Sequence, residues 1–260
     1  MIDAMWKIED MRSHMDQFYS LYCGDTPVQN NDGGMKFPHM FLAWYLTKKI
    51  QPKFLIESGV WKGLGTWFLE QASPDTKIIS IDPFPINRIY TSNKVQYLTE
   101  DFATIDFAKL GVDVDNTLVF VDDHQNALDR LVQAKSKGFK RMIFEDNYPA
   151  DQGDCYSIKK ILSGKLFCMD MGGRVSHHHP NPQDKVFVEN TLSVYQEMPP
   201  IHKTKYTRWK TIWDNYETPD SILTEAELLK YPKIQSELQD YTWLCYIELC
   251  QHNNGVECGI

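Results

Sequence analysis

Phe54-Leu55-Ile56-Glu57-Ser58-Gly59-Val60-Trp61-Lys62-Gly63-Leu64-Gly65-Thr66 is the stretch on which the reading of this chain turns. Its first three residues are an apolar run of strand length. Gly59, Gly63 and Gly65 follow at a turn, where residues without a Cβ let a ligand approach the main chain closely. The helix that the stretch opens into presents free N–H groups, which favour a polar or anionic ligand. The spacing is not the dinucleotide fingerprint, because Gly59-x-Trp61 breaks G-x-G-x-x-G.

Outward from this strand, the C-terminal side repeats the pattern. Residues 77–82, 94–101, 116–124 and 141–147 each read as a strand, and 125–137 as a helix stopped by Gly138. The nearly continuous apolar runs suit parallel strands covered on both faces. Alternation of strands with helices over 54–147 predicts a doubly wound sheet, with a full helix missing between the second and third strands, where Pro83 and Pro85 interrupt. Toward the N-terminus, apolar residues three or four apart predict an amphipathic helix over 3–22, then a polar loop over 30–35 that is either a flexible connection or a lid, then a helix over 38–50 ended by Pro52. Beyond 147 the expectations are a loop over 148–154, a helix capped by Ser157, a loop over 172–184, helices over 186–198 and 224–238, and a strand over 241–249.

With 260 residues, the chain suffices for one α/β domain, here 1–260, with 1–50 as helical cap and lid and 51–260 as core. A formal charge of −8 argues against a nucleic-acid partner. The six cysteines lack zinc spacing and suit reduced thiols of a cytoplasmic protein. No apolar run is long enough to span a membrane.

In open α/β sheets, ligands bind outside the carboxyl ends of the strands. Those ends carry Glu57, Asp82, Asp101, Asp122-Asp123-His124 and Glu145-Asp146. A carboxylate ending the second strand can accept both hydroxyls of a ribose, which makes Asp82 the strongest cofactor position. Asp122, Asp123, Glu145 and Asp146 crowd the ends of two adjacent strands. An all-oxygen set of this kind suits Mg²⁺ or Mn²⁺ rather than zinc. His177-His178-His179 reads as a solvated or substrate-facing loop; Arg208-Trp209 and Trp213 offer faces on which a sugar could stack, with core or interface packing the favoured reading for all three.

The acid two residues before Gly59, with Gly65-Thr66 closing the loop, resembles the first motif of class I S-adenosylmethionine (SAM) methyltransferases. The resemblance implies a Rossmann-like, seven-stranded, mostly parallel sheet whose last two strands form a hairpin. It implies SAM contacts from Glu57, Gly59, Trp61, Gly65, Thr66, Asp82 and Asp122, with Asp101 near the adenine amino group and Phe102 against its ring. Asp122 with His124, and Glu145-Asp146, further resemble the metal-dependent sugar O-methyltransferases related to cephalosporin hydroxylases and macrolide-sugar methyltransferases. In that light Asp122, Glu145 and Asp146 are metal ligands and His124 the base. The family separates its aspartate and histidine by one residue more, so either Asp122 or Asp123 is the ligand, and either becomes the candidate base if His124 only caps the next helix. Residues 121–126 and 144–149 also resemble the methyltransferase domain of chlorella-virus capsid glycosyltransferases, which implies a rhamnose-containing glycan as acceptor and a host-cytoplasmic location. Other readings are a catechol-type O-methyltransferase, a nicotinamide-binding oxidoreductase and a non-catalytic binding module.

Overall fold

The computed structural model describes residues 6–250. Helix α1 (Ile8–Tyr22) buries Met11, Met15 and Phe18 along one stripe. Helix α2 (Phe37–Ile50) starts with Pro38 in its first turn, is buried from Phe37 to Thr47, and ends on Gln51 in a left-handed conformation. A helix apolar on all sides belongs inside a core. Accordingly α2 packs between α1 and the sheet, with Phe18, Phe37, Phe41 and Trp44 in edge or tilted ring contacts.

Strand β1 (Phe54–Ser58) leads into α3 (Leu64–Ala72), then β2 (Lys77–Ile81), β3 (Val95–Leu98), β4 (Thr117–Val121), α4 (Ala127–Ser136) and β5 (Arg141–Phe144). After β5 come α5 (Ile158–Ser163), β6 (Phe167–Asp170), β7 (Val175–His178), α6 (Pro182–Thr191), β8 (Leu192–Glu197), α7 (Glu225–Leu228) and β9 (Cys245–Leu249). The main sheet has seven strands in the order β3-β2-β1-β4-β5-β9-β8. Strands β1 to β5 pair in parallel, while β9 lies antiparallel to both β5 and β8. This is the Rossmann-like sheet with a closing hairpin expected from the sequence. Ser58 is in register with Ile81 and with Val121, and Val121 with Phe144. The residues after these four strands therefore emerge at one level. The strand order reverses between β1 and β4, which is where a crevice opens in such sheets.

Between β2 and β3 only a short 3-10 turn (Pro85–Asn87) forms, as the prolines predict. Phe84 and Ile86 stay exposed there. Ser157 caps α5 by accepting from the Lys160 amide.

Three expectations need correction. The loop expected over 172–184 contains β7, which pairs with β6 in a separate two-stranded sheet. The helix expected over 186–198 is α6 followed by β8. Asn181 caps α6 and Pro182 opens it, so the helix starts earlier; Leu192, Val194 and Tyr195 then find backbone partners on β9, and tertiary pairing overrides helical periodicity. The helix expected over 224–238 keeps its capping box, Thr224 with Glu227, but lasts only for α7. Pro232 removes a donor and the chain continues in 3-10 turns. Among the described residues, no helix is long and apolar enough to cross a membrane.

Candidate active site

A cleft of about 660 Å³ opens at the carboxyl ends of the parallel strands. At its β1–β2–β3 end, Gly59 has φ +97, and a Cβ there would run into the carbonyl of Asp122. The glycine thus lets the ends of β1 and β4 approach. Trp61 also lines the cleft; its indole N–H donates to the Asp32 carbonyl at 3.0 Å, and Lys62 donates to the Asn30 carbonyl at 2.8 Å. Segment 30–35 is thereby docked on the glycine loop.

Glu57 lies beneath this loop, 1% exposed. Its carboxylate accepts from the Thr66 hydroxyl at 2.6 Å and from Ser80 at 2.5 Å. Burial pushes its pKa up to about 7, against the two hydroxyls that favour the charge. Gly65 and Thr66 are buried in the first turn of α3 beside it, and none of the three lines the cleft. Asp82 does line it, directly after β2, with Oδ1 accepting from the Phe84 amide at 2.8 Å. Asp101 follows β3 by three residues and holds Arg130 through both oxygens, at 3.0 and 2.9 Å. That guanidinium holds the Asp101 carboxyl below its usual range. Phe102 is buried under the same arginine and lines the cleft.

The β4–β5 end separates the neighbouring aspartates. Asp123 accepts from Ser58 at 2.6 Å and from Arg130 Nε at 2.8 Å, so its charge is already paired. Asp122 instead joins His124 and Asp146, each offering one ligand atom, all within 4.8 Å of one another. Burial, then the charges of Glu145 and Asp146, push the Asp122 carboxyl well above its usual range. Burial and Glu145 raise Asp146 to about 6. His124 Nδ1 stands 2.9 Å from Asp146 and 3.3 Å from Asp154. These two carboxylates push its pKa up to about 12. The helix-cap role belongs to Asn126, which accepts from the Leu128 amide. Glu145 also lines the cleft, with its carboxyl in contact with that of Asp146, and it stands 2.6 Å from His39 Nδ1 and 3.2 Å from the Thr242 hydroxyl. His39 is buried, which lowers its pKa to about 4 and keeps it neutral.

These donors fit a divalent cation. Asp122 is a half-buried carboxylate and Asp146 an enclosed one, and Asp146 Oδ2, although near His124, is a buried acceptor without an aligned donor. Such a group is costly unless a cation or donor meets it.

Arg208 and Trp209 line the cleft beside Tyr148, whereas Trp213 is core at 2% exposure. His177 and His178 lie exposed on β7, and with His179 stand outside the cleft. Sequence reading passed over Arg130, His39 and Asp154. His39 had a signal, as the lone polar residue in the first turns of an apolar helix. Asp154 had none beyond its place in a polar loop after Gly153.

No protein-family model matches the chain, and no curated protein matches it. Among solved structures, similar ones include an apo structure of CmcI (17% identity, TM-score 0.36, covering 46% of this chain and 57% of that one). Another is an SAH-bound methyltransferase, PaMTH1, from Podospora anserina (12% identity, TM-score 0.37, covering 56% and 74%). A third is the tRNA (m1A58) methyltransferase TrmI from Aquifex aeolicus (11% identity, TM-score 0.42, covering 95% and 77%). The chain thus spans little more than half of CmcI. Likeness at this level says nothing of activity.

Proposed function

We propose that the chain is a SAM-dependent O-methyltransferase that acts on a sugar hydroxyl, of a rhamnose-containing glycan, with Mg²⁺ or Mn²⁺ at Asp122 and Asp146. The observation that carries this reading is the cleft that brings together the Gly59 loop after β1, Asp82 after β2, Asp122 after β4 and Asp146 after β5. The antiparallel β9 inserted beside β5 supports it over a nicotinamide enzyme, whose strand order runs on in parallel.

In this reading the Gly59–Trp61 loop holds the methionine part of SAM and Asp82 its ribose hydroxyls. Asp101, although paired with Arg130, keeps lone pairs for the adenine amino group, and Phe102 lies against the ring. Glu57, Gly65 and Thr66 act from below by holding the loop in shape. His124 takes the acceptor proton at Nε2 while Asp146 and Asp154 hold Nδ1. For a neutral imidazole near pH 7, the charge of those carboxylates must be offset. A bound divalent cation would supply that offset and would make a sugar hydroxyl a stronger acid. Glu145, the third expected ligand, stands against Asp146 in the same cleft and is braced by His39.

Calorimetry tests the cofactor: SAM binds the wild type, NAD does not, and Asp82→Ala weakens SAM by about 1–3 kcal/mol, the range for a hydrogen bond to a charged group. Mass spectrometry of glycosides tests the reaction, which should add one methyl group, stop in EDTA and return with Mn²⁺. Absence of SAM binding, or full turnover in excess EDTA, sinks the reading.

A further inference from the structure

Residues 206–212 form a tight turn that brings Arg208 and Trp209 to the cleft. Tyr206 bridges Ile212, Thr207 and Thr211 share a backbone bond at 2.9 Å, and Lys210 takes φ +62. The turn is braced from behind. Gln152 donates to the Thr211 hydroxyl at 2.7 Å and to the Tyr216 hydroxyl at 2.6 Å, and Tyr216 donates to Asp151. Gln152 and Asp151 belong to the same loop that sets Asp154 against His124. The position of the turn is therefore tied to the reacting end of the cleft.

At its tip, Trp209 meets the buried ring of Tyr148 edge-on, at 5.1 Å and 88°. Arg208 lies over the same indole at 4.8 Å. The indole stays half-buried, and its N–H donates to no group among the described residues. Among those residues, no carboxylate comes within ion-pair distance of Arg208, unlike Arg130, which two aspartates claim. The same cleft is also lined by Asp154, Asp170 and Asp240. Carboxylates accept from hydroxyls and repel anions. An aromatic face in a cleft that also holds carboxylates thus suits a ring rich in hydroxyl donors.

We propose that Trp209 is the acceptor platform: a neutral sugar ring lies against its indole, with Arg208 stiffening the stack and Asp154 and Asp240 accepting from ring hydroxyls. The placement of the methylated hydroxyl rests on the methyltransferase reading; the sugar binding itself does not.

Saturation-transfer NMR with methyl rhamnoside, fucoside, glucoside and xyloside tests this on the full chain with Mg²⁺ and S-adenosylhomocysteine, with catechol as control. At least one glycoside should bind the wild type, weaken by about tenfold or more in Trp209→Ala, as for an aromatic anchor, and recover in Trp209→Phe. Unchanged S-adenosylhomocysteine affinity and melting in Trp209→Ala would show that the loss is local. Equal glycoside binding by wild type and Trp209→Ala overturns the platform, as does binding of catechol but no glycoside, or of neither. Glycoside binding that depends on Trp209 but yields no methyl transfer upholds the platform and counts against the methyltransferase reading instead.

Discussion

At the β1–β2 end of the cleft, Gly59 and Asp82 follow their strands within one residue, and Asp101 and Phe102 come only a few residues after β3. At the other end, Asp154, Trp209 and Asp240 come from loops that are distant in sequence and meet only through packing. The first end inherits its geometry from a parallel sheet, whose register levels the strand ends. The second depends on side-chain braces such as Gln152 to Thr211 and Glu145 to His39. Ends of the first kind suit a part shared by many ligands; ends of the second kind can be rebuilt without disturbing the sheet. The cluster Asp122–His124–Asp146 sits where the two meet.

Substitutions should separate the two ends by how far their damage spreads. The widest effect is expected from Gly59→Val. Its side chain would enter the Asp122 backbone at a positive φ, so strain and overpacking together should destabilise the fold by about 2–6 kcal/mol. Calorimetric titration and urea unfolding should register loss of SAM binding together with lost stability. A stable variant with normal SAM affinity would mean that the loop is not the rigid end.

His124→Ala acts at the junction. Turnover should fall by about 10²–10⁴-fold, the range for a general base, while SAM affinity and melting stay near wild type. If turnover is near normal, Asp122 becomes the candidate base, because Asp123 is held by Arg130 and Ser58.

Glu57 offers the subtlest probe, since it shapes the first end from beneath. Its folded pKa is raised from 4.5 to about 7 by burial. Below pH 4.5 the carboxyl is protonated in folded and unfolded chains alike and nothing is lost. As pH rises through about 7, the folded chain must ionise a buried group that the unfolded chain ionises freely. Stability should therefore fall across that window, by about 3 kcal/mol at 1.36 kcal/mol per unit. Glu57→Gln should flatten this part of the urea midpoint against pH, and the wild-type-minus-variant difference isolates Glu57 from Asp122 and Asp146. An identical pH dependence in both proteins would refute the assignment.

Much of the first end was legible because it is local. The apolar run, the glycines and the acid after each strand are fixed by a few neighbouring residues, and so was the absence of a helix around Pro83 and Pro85. The capping box at Thr224 was legible for the same reason, whereas the length of its helix was not, since Pro232 lay inside a pattern that still looked helical. Strand β8 was hidden because a run such as Leu-Ser-Val-Tyr-Gln-Glu satisfies either period until a partner strand is present.

Residue types and spacing alone settled that acids would gather at the carboxyl edge of a parallel sheet, beside a glycine turn. They left open which of Asp122 and Asp123 joins His124 and Asp146. Tertiary structure decided that through Arg130, which reaches from α4 to pair Asp123 with Asp101 and leaves Asp122 to the cluster. It likewise turned Glu145 toward His39 and brought Asp154 to His124. Adjacent residues on an irregular turn share one sequence context, so only the charges and hydrogen-bond partners delivered from distant elements can tell them apart.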